Sequence, residues 1–241
     1  MYQELKPSEG LNNLIDSFWV FSNEEASEEY KVLPDTCTDL IFDINQDHGF
    51  ISGVMTSFQL VELVAESDLI GIRFKTENFG AISRIPLSET KNLRVNLSEI
   101  FSSKDLNKLR QLHDLESSDE KIKFLDNFIS TTFKENYERV DRLDLSVAEN
   151  IRSCKGNLNI GDLAKSNHLS LRQLERRFKS YTGLTLKQFT TIVRFNNAKE
   201  AIASHTETSL LEIAFDFGFF DHAHMNHEFN RISGNNPSCF R

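Results

Sequence analysis

The sequence predicts an α+β protein, with a front half built as a β-rich sheet or small barrel with helices and an all-α back half made of two helix-turn-helix units. Three observations lead there. Short β-branched and aromatic runs alternate with turn-formers up to about residue 74; the apolar period becomes helical after about Ser98; and the last hundred residues contain an internal repeat.

The front runs are Phe18 to Phe21, Asp39 to Ile44, Phe50 to Val54, Phe58 to Val61 and Leu69 to Phe74. Pro34-Asp35, Asn45 to Gly49 and Glu66 to Asp68 separate them as turn segments, so a compact antiparallel sheet follows. Beyond it, Leu106, Leu109, Leu112 and Leu115 recur at three-residue steps. Ser117 and Glu120 then form a capping box ahead of Ile122, Leu125, Phe128, Ile129 and Phe133. These two helices either complete the front core or serve as a dimerisation or interdomain arm. The polar stretch Lys134 to Asp144 is read as the linker, which divides the chain into residues 1–138 and 139–241.

The 241-residue length suits two modest domains, and 39% hydrophobic residues, among them 20 Phe, suffice for two cores. No basic cap with an apolar run opens the chain, and no uncharged stretch reaches roughly 18 residues, so neither export nor a membrane is expected. Cys37, Cys154 and Cys239 are far apart, which fits a reducing cytoplasm better than a disulfide framework. The net charge of −9 is uneven. Residues 1–140 hold 14 basic and 25 acidic side chains, whereas residues 141–241 hold 13 and 11. The acidic front lowers nonspecific nucleic-acid affinity through its long-range field, while a locally basic helix can still meet phosphate at close range.

In the repeat, Leu163-Ala164, Leu169, Ser170, Leu174, Phe178 and Gly183 correspond to Ile213-Ala214, Phe219, Asp221, Met225, Phe229 and Gly234. The offset is 50 before the turn and 51 after it, so the second turn is one residue longer. A small alanine permits a close helix crossing, Leu169 or Phe219 plugs the turn, and Ser170 or Asp221 caps the helix behind it. The helices near 170–181 and 221–232 then bury Leu174 with Phe178, and Met225 with Phe229, at four-residue spacing. On the first of them Arg172, Glu175, Arg176 and Lys179 form an exposed stripe suited to guanine edges and phosphate. Arg177, slightly off it, either reaches phosphate or pairs with an acid. Between the copies, Leu186 to Ser204 reads as one stiff helix that fixes the distance between them.

The segment Ile160 to Ser166, Leu169-Ser170 through Gly183, then Ile213-Ala214, Gly218-Phe219, Gly234 and Asn236 to Arg241, resembles the DNA-binding domain of AraC/XylS regulators over about residues 141–241. The resemblance implies that the second helix of each unit reads DNA, with base-facing roles for Arg172, Glu175 and Arg176 and for His222, Ala223, Asn226 and His227. It further implies a transcription regulator, an activator working with RNA polymerase on double-stranded DNA, with a small-molecule effector and a homodimer as further expectations. Where that family usually has arginine, this chain has His227. Residues 158–183 hold five basic and two acidic side chains, and residues 209–234 one and four, so phosphate anchoring is expected chiefly from the first unit. The front half resembles the uncharacterised β-rich domain found ahead of such units in related regulators, through Ser17-Phe18-Trp19, Pro34 to Phe42 and Gly71 to Phe74.

Trp19, Asp39 and Arg73 lie in apolar runs and are open to two readings, a ligand pocket or a buried Asp39–Arg73 pair beside a core tryptophan. His222, His224 and His227 with Asp221 look like metal ligands, but only His224 and His227 share a helical face and no cysteine lies near; no metal and no cofactor is expected. Facing phosphate, these histidines would make DNA affinity pH-sensitive. The competing reading is a ligand- or partner-sensing module in which DNA binding is secondary. An enzyme finds no nucleophile–base pair, phosphate loop or metal cluster to support it.

Overall fold

The computed structural model describes residues 2–23, 28–46, 48–63, 65–83, 85–137 and 142–241. Among the described residues eight strands, β1 (Tyr2–Leu5), β2 (Ile15–Asn23), β3 (Glu28–Val32), β4 (Cys37–Asp43), β5 (His48–Ser52), β6 (Gln59–Leu63), β7 (Ser67–Lys75) and β8 (Arg94–Asn96), make up the front. Six of them form an antiparallel sheet in the order β1-β2-β7-β4-β5-β8, and β3 pairs with β6 as a separate ribbon. The five runs read from the sequence lie on β2, β4, β5, β6 and β7. Strands β1, β3 and β8 were not expected, because Tyr2–Leu5 and Glu28–Val32 are polar, and β1 and β8 are edge strands that need pair on one side alone.

The sheet separates two environments because its side chains alternate. Along β4 the buried positions are Thr38, Leu40 and Phe42; with Phe18, Ile51, Ile70, Ile72 and Phe74 they face the front core. That core is closed by α1 (Thr76–Ile82), α2 (Leu87–Thr90), α3 (Ser103–Leu109) and α4 (Ser118–Tyr137), through Phe79, Leu87, Leu109, Leu125, Phe128, Ile129 and Phe133. The three-residue leucine spacing has its cause here: α3 runs into a 3-10 turn over Arg110–Asp114, whose period is three. The capping box forms as expected, Ser117 Oγ accepting from the Glu120 N–H and Glu120 from the Ser117 N–H.

The leucine and phenylalanine stripe of residues 106–133 packs into the chain's own front core, as the first of its two readings has it. The linker read at Lys134 to Asp144 is helical at both ends, with α4 reaching Tyr137 and α5 (Arg142–Ser153) starting at Arg142. The boundary placed at 138/139 lies outside the described residues.

The back half comprises α5, α6 (Ile160–Ser166), α7 (Leu171–Thr182), α8 (Leu186–Ser204), α9 (Leu210–Asp216) and α10 (His222–Ser233). Helix α8 is shared. Leu186, Phe189, Ile192 and Val193 pack with Val147, Ile151, Leu163, Ala164, Leu174 and Phe178, whereas Phe195, Ala198 and Ile202 pack with Ile213, Ala214, Phe219, Met225 and Phe229. One rigid rod thus anchors both units. The front half grips them directly. Thr76 Oγ1 donates to the Thr182 carbonyl at 3.2 Å, the Phe58 N–H donates to the Ile232 carbonyl at 2.7 Å, and Lys31 Nζ donates to Asn235 Oδ1 at 3.0 Å. Val54, from the front half, is buried in the core of the first unit.

Candidate nucleic-acid interface

The turn of each unit is closed by the same backbone bond, from the Leu169 N–H to the Ala164 carbonyl (3.1 Å) and from the Phe219 N–H to the Ala214 carbonyl (2.8 Å). Helix α7 starts on a reciprocal Ser170–Gln173 capping box; α10 starts on Asp221, whose carboxylate accepts from the His224 N–H at 2.7 Å. Both helices end on left-handed glycines, Gly183 (φ 73°) and Gly234 (φ 69°), a conformation that stops a helix without the clash a side chain would bring. The extra residue of the second turn is Phe220, which is 84% exposed just ahead of α10.

On α7 the burial of Leu174, Phe178 and Thr182 turns Arg172, Glu175, Arg176 and Lys179 outward to solvent, and Arg177 is half-buried. On α10, Met225, Phe229 and Ile232 are buried, Ala223 and His227 are exposed, and His222 and Asn226 are half-buried with Asn226 Nδ2 at 3.3 Å from His222 Nδ1. His224 points away from the others: it accepts from the Phe220 N–H at 3.1 Å and its ring meets Phe219 edge-on. The acidic character of this unit is partly internal, because Arg231 is paired to Glu228 at 2.6 Å.

Residues 163–241 match the family described as a helix-turn-helix domain, and residues 3–96 match a domain of unknown function, DUF6597. The chain carries an AraC-type helix-turn-helix domain behind a DUF6597 domain. It is 32% identical over 112 residues to the HTH-type transcriptional activator RhaS of Escherichia coli (strain SE11), a match over 46% of this chain and 40% of RhaS. With the RhaS of Escherichia fergusonii it shares 38% identity over 73 residues, 30% of this chain and 26% of that relative. The matched segment therefore spans less than half of these relatives. Among solved structures, the C-terminal domain of AraT, a response regulator from Geobacillus stearothermophilus, is 23% identical with a TM-score of 0.40 over 43% of this chain and 86% of its own. ToxT from Vibrio cholerae is 14% identical with a TM-score of 0.45 over 100% of this chain and 96% of its own.

The sequence also pointed to Trp19, Asp39 and Arg73. These residues occupy the sheet face opposite the core, where they line a cavity of about 820 Å³ roofed by the β3–β6 ribbon. Trp19 Nε1 donates to Asp39 Oδ1 at 2.8 Å, and Arg73 Nε lies 3.3 Å from the same oxygen and 3.6 Å from Asp35. Burial pushes the Asp39 carboxyl up to about 6 even though Arg73 and the Trp19 N–H oppose the shift. Tyr30, Phe50, Ser52 and Arg94 also line it, with Asn196 and Lys199 reaching in from α8. The sequence reading missed these six. For Phe50, Ser52 and Arg94 the signal was the alternation on β5 and β8, which puts every second residue on the face away from the core.

Proposed function

We propose that this protein is a sequence-specific DNA-binding transcription regulator, an activator, that reads two successive major grooves with α7 and α10 as successive readers on one face of the duplex. The observation that carries the reading is the pair of capped helices braced on one rod, the first displaying Arg172, Glu175, Arg176 and Lys179 with its apolar side buried. Arginine offers forked donors to guanine, lysine a point charge to phosphate, and successive grooves lie roughly 34 Å apart. Ala223, Asn226 and His227 of α10, with His222 steadying Asn226, serve the second half-site, and Arg177 supports the phosphate contacts of the first. We assign residues 1–138 to the sensing part and 139–241 to the reading part; RNA polymerase is the partner of the activated complex and a small-molecule effector that of the front cavity. The test is a footprint on the protein's own upstream DNA with wild type and Arg176→Ala. Protection over two half-sites one helical turn apart, with the Arg176 variant losing the first, is the expected result. Uniform weak protection without half-sites would favour the sensing module in which DNA binding is secondary.

A further inference from the structure

We propose that the front cavity binds a flat nitrogen heterocycle of nucleobase type, stacked on Trp19 and held at one edge by Asp39, Ser52 and Arg94. The proposal gives a chemical class to the effector site named above and rests on that sensing role alone, not on how DNA is read.

Strand register lays out the floor of the site as rows. One row crosses the sheet as Trp19, Gly71, Ile41 and Phe50, each the cross-strand neighbour of the next. The adjacent row on the same face is Arg73, Asp39, Ser52 and Arg94. The two rows are two residues apart along each strand, or roughly 7 Å. The first row is flat for a stated reason: a Cβ on residue 71 would lie 2.1 Å from the Trp19 ring, so the indole rests directly on the glycine backbone. Opposite this floor the ribbon offers Tyr30, Val32 and Val61. Apolar surfaces above and below, with the polar row Arg73, Asp39, Ser52 and Arg94 along one edge and Asp43, Gln46 and His48 at the other end of the cavity, describe a slot for a planar ring with polar rims.

The polar edge reads donors and acceptors. Both contacts to Asp39 fall on Oδ1, which leaves Oδ2 for a donor in the cavity. Ser52 supplies a hydroxyl of either polarity, and Arg94, whose guanidinium lies 4.7 Å over the Phe50 ring, supplies donors at the far end of the row. A heterocycle presents ring N–H and C=O or imine nitrogen side by side on one edge and so satisfies this sequence of partners. A hexose carries hydroxyls around its whole rim and would leave several of them against Val32, Ile41 and Val61. A fatty acid would leave the Asp39 oxygen unused.

The test uses the chain's single tryptophan, Trp19, as its own reporter in the full-length protein. Its fluorescence is titrated with adenine, hypoxanthine and cytosine, and with glucose and octanoate for comparison. The expected result is saturable quenching by at least one of the bases and none by glucose or octanoate. Asp39→Asn should weaken that binding by about tenfold, as loss of a charged hydrogen-bond partner does, and Ser52→Ala provides a second, milder variant if Asp39→Asn does not fold. No saturable change with any base, saturation by glucose or octanoate instead, or an affinity that neither variant alters would each overturn the proposal. DNA plays no part in this readout, so a protein that binds its operator yet ignores every base overturns the ligand class and leaves the proposed DNA reading intact.

Discussion

Asp39 carries the most informative electrostatics of the front half. Burial raises its carboxyl to about 6 from an ordinary 3.8, so the folded protein holds this proton more tightly than the unfolded chain does. Its contribution to stability is therefore complete below about pH 4 and is lost as pH rises through about 6. Compared with wild type in urea melts between pH 4 and 7, Asp39→Asn should show a stability difference that changes with pH in this window and is constant outside it; a constant difference throughout would place the carboxylate in solvent. On the reading side, Arg176→Ala should cost about 1–3 kcal/mol on operator DNA, the worth of one forked base contact, and little on random DNA. Equal losses in a gel-shift series would make Arg176 a phosphate contact. The pairing of Asp39 with Arg73 was legible in the sequence, as two opposite charges inside apolar runs. That Trp19 joins them on the outer face of the sheet was not, because the face a strand buries is decided by its neighbours across the sheet rather than by its own residues.

The helices of the back half announce themselves element by element, since each boundary is written in local chemistry: Ser170 with Gln173, Thr185 with Gln188, Ser209 with Glu212, and glycines 183 and 234. The polar strands β1 and β3 carry no such mark and exist only through pairing partners far along the chain. The two helices proposed to read DNA are unequal. Helix α7 turns Arg172, Arg176 and Lys179 outward, whereas α10 offers Ala223 and His227 and spends Arg231 on Glu228. Lys179→Ala should accordingly weaken binding to all DNA sequences and lower the salt slope by about one unit. His227→Arg adds a permanent forked charge to the poorer reader, so it should tighten operator binding and steepen its salt dependence. Unchanged affinity and slope after that substitution would mean that α10 is not seated in a groove, and the first unit would then account for binding.

At the scale of the whole molecule, the two halves are joined by contacts that have no signature in local periodicity. The front half holds the carbonyl ends of both α7 and α10, through Thr76 at Thr182 and through Phe58 at Ile232, and so sets how these two helices stand relative to each other. At the centre of this joint Arg152 of α5 forms a two-pronged pair with Glu77 of α1, its second nitrogen 3.0 Å from the carboxylate, while also donating to Thr36 Oγ1 and lying 4.9 Å over the Phe189 ring. The Glu77 side chain is 5% exposed, and although burial works against the Arg152 charge, the carboxylate more than offsets it. Removing one member leaves the other's charge without its partner in a mostly buried place, a loss of about 3–5 kcal/mol; because Arg152 keeps 29% of its side chain in solvent, the lower end is expected for Glu77→Ala. Replacing both with apolar residues of similar size, Glu77→Leu with Arg152→Met, should recover most of that loss, since no stranded charge remains. Lys31→Ala, which removes one exposed bond across the same joint, should cost well under 1 kcal/mol. Calorimetry of the four proteins separates the possibilities. If the joint makes the chain unfold as one unit, wild type gives one transition and Glu77→Ala splits it in two, with the double variant restoring the single peak; a single peak at unchanged temperature in Glu77→Ala would mean that the halves are held together by Val54 and the helix ends alone.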